Sequence, residues 1–236
     1  MAFLFKDFYF SVGPRSIRFR AYFSNFLLSN TFVYIEEQSA FLVDPHPDEE
    51  VIRYLTNCGV KTVDVFLTHE HADHTYGLPS LIQHFNVRVF CSKTCSEVLA
   101  YSNYKPLRTL RLLVEWQNIS RKNEVLEIDD FLKNYEFFSY DSSIAFDQET
   151  SLFWRSHSIR IQPTPGHSPG SICLLFDDKI LFSGDSLLKI YPVITRLPGG
   201  NTKEYKKLTE TFFQSLEKDV VVLPGHGEPF NIREFY

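Results

Sequence analysis

Long apolar runs are missing from this sequence. The uncharged stretch 21–35 has 15 residues and includes serines and asparagines, and 161–176 has 16 broken by prolines and glycines, both too short and too polar for a membrane span of about 20 apolar residues. The opening MAFLFKDFYFSVGPRSIRFR interrupts its apolar positions with Lys6, Asp7, Arg15 and Arg18, so an export signal's unbroken apolar core is absent too. Cysteine is sparse: Cys58, Cys91, Cys95 and Cys173 show no paired zinc spacing, and the expectation is four reduced structural thiols. Positive charge is also short. Against 29 Asp and Glu stand 24 Lys and Arg, a net charge of −5, which offers phosphates no general field and argues against a nucleic-acid partner. These absences predict a soluble, cytoplasmic protein with no membrane segment. No internal repeat, low-complexity stretch or linker divides it, and 236 residues fit a single domain, 1–236. No feature of the sequence sets an oligomeric state.

What abounds is aromatic: 23 Phe and 12 Tyr, rings that in strands serve a core first and an apolar cleft second. TFVYI and AFLV, joined through EEQS, predict a hairpin that stops at DPHP. VDVFL reads as a strand, YGLPSLIQHF has helical spacing and VRVFC is a second strand, which makes a β-α-β unit. From about 101 to 150 the pattern changes. PLRTLRLLVEW and VLEIDDFLKNYEFF read as helices, so this stretch is expected to be a helical insertion or lid. SIRIQPTPGHSPGSICLLFDDKILFSGDSLL then supplies three strands, a helix is expected over about 202–218, and VVVLPGHGEP carries a last strand. Strand runs with interleaved helices predict an α/β fold of stacked β layers covered by helices.

THEHADHTYG, residues 68–77, sets three histidines, an aspartate and a glutamate directly after VDVFL. His69 and His71 are two apart, so after a strand they can converge on one ion. Asp73 and His74 follow on the turning loop and can point to a second position nearby. Three more polar residues end strands at Gly-rich turns, where backbone can approach an ion: His167 in TPGHSPG, Asp185 in LFSGDSL and His226 in LPGHGEP. Five of the eight histidines fall in such turns, leaving His46, His84 and His157 outside. A lone turn histidine is more often a surface residue than a ligand, but five together read as a metal centre.

THEHADH, TPGHSPGS, FSGDSLL and LPGHGE resemble the successive signature motifs of the metallo-β-lactamase-fold superfamily, and FLVDP, with Asp44, resembles its leading motif. The resemblance runs from about residue 30 to 228 and skips 101–150. It implies a four-layer αβ/βα sandwich, two central mixed sheets flanked by helices, with the site at their shared edge. It also implies one metal held by His69, His71 and His167, a second by Asp73, His74 and His226, and Asp185 bridging the two, with Asp44 outside the ligand shell orienting it. Imidazole and carboxylate donors suit Zn²⁺ best, with Fe or Mn as alternatives. Such a pair lowers the pKa of a shared water from about 16 toward 7 and supplies a hydroxide nucleophile. Asp73 and Asp185 are then the catalytic carboxylates.

Within the superfamily, His71 stands where flavodiiron proteins carry a glutamate, and Asp185 is generally missing from true lactamases. The segment GDSLL followed by RLPGGN, with Arg196, is similar to short members of the hydroxyacylglutathione hydrolase (glyoxalase II) group, implying hydrolysis of a small-molecule ester or thioester. Only ten residues follow His226, where the full-length enzymes carry a helical extension that binds glutathione. The alternative binding surface is the mixed basic and aromatic set Tyr101, Tyr104, Lys105, Arg108, Arg111 and Trp116. Three rivals stand beside this reading. A persulfide dioxygenase would hold one iron through His69, His167 and Asp185. A lactone hydrolase would use Tyr191 as a donor to the carbonyl. A non-catalytic metal-binding protein would keep the fold alone.

Overall fold

The structure, a computed structural model, describes residues 4–24, 28–46, 49–100, 114–115, 118–119 and 144–236. Seven strands build the first sheet in chain order: β1 (Leu4–Val12), β2 (Arg15–Phe23), β3 (Asn30–Glu36), β4 (Ser39–Val43), β5 (Thr62–Phe66), β6 (Asn86–Ser92) and β7 (Ile144–Phe146). The first four pair antiparallel and the last four parallel. The expected hairpin is β3–β4, and VDVFL and VRVFC are the parallel pair β5–β6. The β1–β2 hairpin was not signalled by any turn motif singled out in the sequence. It closes through Gly13 and Pro14, with Gly13 at φ +57°, the left-handed start that a II′ turn requires.

The second sheet has the order β13-β12-β11-β10-β9-β8, from β8 (Thr150–Trp154), β9 (His157–Pro163), β10 (Ile172–Phe176), β11 (Ile180–Gly184), β12 (Val221–Pro224) and β13 (Phe230–Asn231). Its one parallel pair, β11 with β12, sets Gly184 opposite Pro224, so the loops that follow both strands leave the sheet side by side. Every residue of β4, β10 and β11 is buried, as strands covered on both faces must be.

Three apolar clusters define the layers. Between the sheets lie Phe19, Phe32, Phe41 and Phe66 of the first and Trp154, Ile161, Phe176 and Phe182 of the second, with Phe19 edge-on to Phe176 at 5.3 Å and to Phe182 at 5.2 Å. The far face of the first sheet is covered by α1 (Glu49–Asn57), α3 (Leu78–His84) and α4 (Lys93–Ala100), through Val51, Leu55, Leu81 and Cys95. The short helix α2 (Ala72–Thr75) lies in the loop after β5. On the far face of the second sheet Phe212, Phe213 and Leu216 pack on Leu175, Leu181 and Val222. They come from a helical segment expected from the sequence: α5 (Thr202–Glu204), a π-helical turn (Tyr205–Thr209) and α6 (Glu210–Ser215). The result is helix, sheet, sheet, helix: the four-layer αβ/βα sandwich.

The stretch 101–150 lies mostly outside the described residues. Its end departs from the helical expectation, because Ile144–Phe146 is extended and pairs parallel with β6. A three-residue strand, IAF, is too short to show a period in sequence.

Candidate metal centre

Four loops meet at one edge of the sandwich. The first follows β5, the second joins β9 to β10, and the third and fourth follow β11 and β12. Backbone bonds fix them across the sheets: Ile172 N–H donates to Thr68 O at 2.8 Å, and Asn30 N–H donates to Gly225 O at 2.7 Å. The Asn30 amide adds bonds to the Pro224 and Gly227 carbonyls at 3.0 and 2.7 Å. From the helical segment, Tyr205 Oη donates to Ser186 O at 3.0 Å and Thr209 Oγ1 to Pro165 O at 2.7 Å. One π-helical turn therefore braces the loops that carry His167 and Asp185.

His69 Nε2 and His167 Nε2 each lie 3.0 Å from His71 Nδ1, so three buried ring nitrogens converge on one point. Beside them Asp73, His74 and His226 form a second group, and the ligand atoms within each group all lie within 4.8 Å of one another. His226 Nε2 and His74 Nε2 stand 3.3 and 3.5 Å from Asp73 Oδ2. Asp185 reaches both groups. Its Oδ2 is 3.5 Å from His167 Nε2, while its Oδ1 is 3.5 Å from His74 Nε2 and 3.4 Å from His226 Nε2.

The outer partners fix which nitrogen faces inward. The carbonyls of Ile194 and Leu28 take the Nδ1 protons of His167 and His226, at 2.8 and 2.9 Å. Asp44 accepts from Thr68 N–H at 2.7 Å, from Thr68 Oγ1 at 2.6 Å and from His74 Nδ1 at 2.9 Å. Thr68 Oγ1, its own proton spent on Asp44, can accept from His69 Nδ1 at 3.0 Å. Four inward Nε2 lone pairs result. Asp44 also falls in a third group with His69 and His74, but three donors already occupy its oxygens, which suits an orienting role better than a ligand's. Thr68 was not singled out in the sequence, although a hydroxyl directly before the cluster is a visible signal. Leu28 and Ile194 act through backbone carbonyls, which no residue type announces. Glu70, buried between the two histidines of its motif, accepts from Ser168 Oγ at 3.0 Å and so ties the first loop to the one bearing His167.

Electrostatics separate the groups. Burial pushes His69 well below the ordinary imidazole range, with His74 and His71 adding to it, and pushes His71 down to about 4. Both rings are neutral donors of lone pairs at pH 7. Burial works against the charges of Asp73 and Asp185, yet His74 and His226 outweigh it and hold both carboxyls well below the usual range. Burial likewise opposes protonation of His226, but Asp185 and Asp73 lift it to about 10, and Asp73 and Asp185 raise His74 well above its ordinary value. The two carboxylates thus demand buried positive charge. Asp73 Oδ1, His74 Nε2 and Asp185 Oδ1 are buried without a hydrogen-bond partner, each at a cost of roughly 1–3 kcal/mol. Divalent cations fit that donor set, replacing imidazolium protons and engaging the three unpartnered atoms.

Backbone room is equally tight. A side chain on Gly225 would run into Asp185 Oδ1 and come within 2.8 Å of His74 Cε1, and one on Gly184, at φ +49°, would strike Thr68. Of the remaining residues proposed from sequence, the two that are described are not brought into the cluster. Tyr191 and Arg196 stand exposed on the loop that follows Asp185, and Arg108 and Arg111, with Tyr101, Tyr104, Lys105 and Trp116, lie outside the described residues.

The family model described as the metallo-beta-lactamase superfamily matches residues 24–226. A hydroxyacylglutathione hydrolase of Shewanella halifaxensis is 24% identical, over 86% of this chain and 61% of the relative's own length. A probable metallo-hydrolase of Streptococcus pyogenes is 23% identical, over 84% and 78%. Among solved structures, the BLEG-1 B3 metallo-beta-lactamase superposes with a TM-score of 0.68 at 22% identity, covering 98% of this chain and 95% of that one. TTHA1623 in a di-iron-bound form gives 0.63 at 20%, covering 96% and 95%. At such identities the structural likeness speaks to the fold alone. Matched across 24–226, with the motif residues gathered at the edge of a four-layer sandwich, the chain belongs to the metallo-β-lactamase superfamily.

Proposed function

We propose that this protein is a cytoplasmic metallohydrolase that cleaves a small-molecule ester or thioester, with chemistry like that of hydroxyacylglutathione hydrolases. The observation that carries the reading is the Asp185 carboxylate, one oxygen toward His167 and the other toward His74 and His226. A carboxylate so split suits two ions, His69, His71 and His167 holding one and Asp73, His74 and His226 the other. The donor set favours Zn²⁺, with Fe or Mn as alternatives. Bound divalent ions supply an activated water at neutral pH and polarise the scissile carbonyl. Asp73, buried beside His74 and His226, would orient the attacking water from the ligand shell and relay its proton. Asp44 and Thr68 hold His74 and His69 in the required tautomers. Cys91, Cys95 and Cys173, free and buried, support a reducing compartment.

A full ligand set supports catalysis over a non-catalytic scaffold, while the number and identity of the bound ions separate the hydrolase from a persulfide dioxygenase with its single iron. Elemental analysis of protein purified without added metal, paired with turnover of a small thioester and a simple lactone, tests this. The expected result is about two Zn²⁺ per chain and ester or thioester cleavage. His71→Ala and Asp185→Ala should each reduce metal content and cut turnover by more than the roughly 10–100-fold typical of outer-shell changes. About one iron per chain with oxygen uptake on a persulfide would assign the dioxygenase instead. Full activity in both variants would sink the metal-centred reading altogether.

A further inference from the structure

Of the ligand cluster, His226 and Asp185 keep the most solvent contact, 18% and 12% of their side chains, so the cluster opens on their side. The residues around that opening are unusually apolar. Residues 190–194, IYPVI, are five apolar residues in succession, four of them exposed. Leu28, Ile190, Tyr191 and Ile194 each remain between 45% and 67% exposed. Two of these are pinned to the centre by their own backbones: Leu28 O holds His226 and Ile194 O holds His167, at 2.9 and 2.8 Å. Each side chain therefore begins one imidazole away from the ligand atoms. Leu28 also sits at φ +61°, a left-handed conformation that costs a branched side chain energy and marks a backbone held for a purpose.

Among the described residues, two cations close by are engaged. Lys189 pairs with Glu234 at 2.7 Å, and Lys6 pairs with Glu228, two residues beyond His226, at 3.3 Å. On the loop from 186 to 200 the other cation is Arg196. Among the described residues the rim thus offers apolar surface and one unpaired cation, a poor match for a leaving group with several carboxylates. An apolar run exposed beside a reactive centre is a binding surface in waiting.

Resting on the hydrolase reading above, we propose that the rim formed by Leu28 and residues 190–194 binds an apolar acyl chain, making medium-chain acyl esters or thioesters the substrate class. The chain lies along Ile190, Tyr191 and Ile194, and its carbonyl is presented to the cluster between His167 and His226.

The test uses the metal-loaded protein and straight-chain N-acetylcysteamine thioesters from acetyl to octanoyl, whose leaving group is neutral. kcat/KM is expected to rise about two- to fourfold per methylene, mostly through KM. Ile190→Ser combined with Tyr191→Ser should flatten that slope. A separate calorimetric titration with the matching alkyl amides, which the enzyme would cleave poorly, should show affinity rising with chain length and a negative heat-capacity change. Thioester cleavage without chain-length dependence, or a slope untouched by the double variant, overturns the rim while leaving the hydrolase reading intact. Length-dependent amide binding without hydrolysis keeps the rim and overturns the hydrolase reading. Length-independent binding, together with a dimer that dissociates on Ile190→Asp substitution, would assign the loop to a second copy of the chain.

Discussion

Asp44 holds His74 by a 2.9 Å bond to Nδ1 while the same oxygen takes the Thr68 hydroxyl proton at 2.6 Å. Because Thr68 Oγ1 lies 3.0 Å from His69 Nδ1, this single carboxylate governs one histidine in each ligand group. It does so from a left-handed backbone, φ +51°, which Asp and Asn tolerate better than other residues.

Asp44→Asn therefore isolates the electrostatic role, since asparagine keeps the volume and the backbone conformation. An amide N–H facing His74 Nδ1–H forces the ring to the other tautomer and removes its inward lone pair. Metal affinity should fall about 10–100-fold with little loss of stability. Chelator competition against the parent protein checks this, and equal affinities would refute the relay.

Gly225→Ala should damage the centre more than the fold. The added methyl meets Asp185 Oδ1, His74 Cε1 and, at 2.9 Å, the backbone carbon of Gly184 at the end of β11, so both side chains and the strand end must give. The expectation is loss of metal from the Asp73, His74 and His226 group, with a urea midpoint lowered by less than a core truncation would lower it. A variant that retains its full metal content would contradict the placement of these groups.

His46 predicts an acid-side loss of stability. Burial drives its imidazole down to about 4, and His74 adds slightly to the effect, while a contact with Tyr22 O at 3.3 Å opposes it. In the unfolded chain it titrates near 6.5, so between about pH 6.5 and pH 4 the unfolded state binds the extra proton. The contribution is whole above about pH 6.5 and is lost as the pH falls toward 4, at most about 3 kcal/mol. His46→Gln should lose less stability than the parent between pH 7.5 and pH 5 in urea denaturation. Identical losses would show that His46 is not the sensor.

The clustering of the candidate ligands was legible because their chemistry is concentrated: four fall within six residues at the end of β5, and His167, Asp185 and His226 each lie in a glycine-bearing turn after a strand. The β5–β6 parallel pair and the β3–β4 hairpin were legible by period and turn. The β1–β2 hairpin was not, since Phe5 and Tyr9 put aromatic rings on its outer face beside Asp7 and Arg20, which pair at 2.7 Å. Rings on both faces blur a two-residue period. The carbonyls of Leu28 and Ile194 were hidden for a deeper reason: every residue has one, and only the fold decides which meet a histidine.

The division of the cluster between sheets has a consequence for how the protein is made. Asp44, His69, His71, Asp73 and His74 come from the first sheet's loops, and His167, Asp185 and His226 from the second's. On the ribosome the early donors emerge long before the rest, and neither group is complete until His167 and His226 have followed. A chain that has not yet delivered His226 could offer an ion only a fragment of each candidate group, so loading would follow the closing of the two sheets on their shared core.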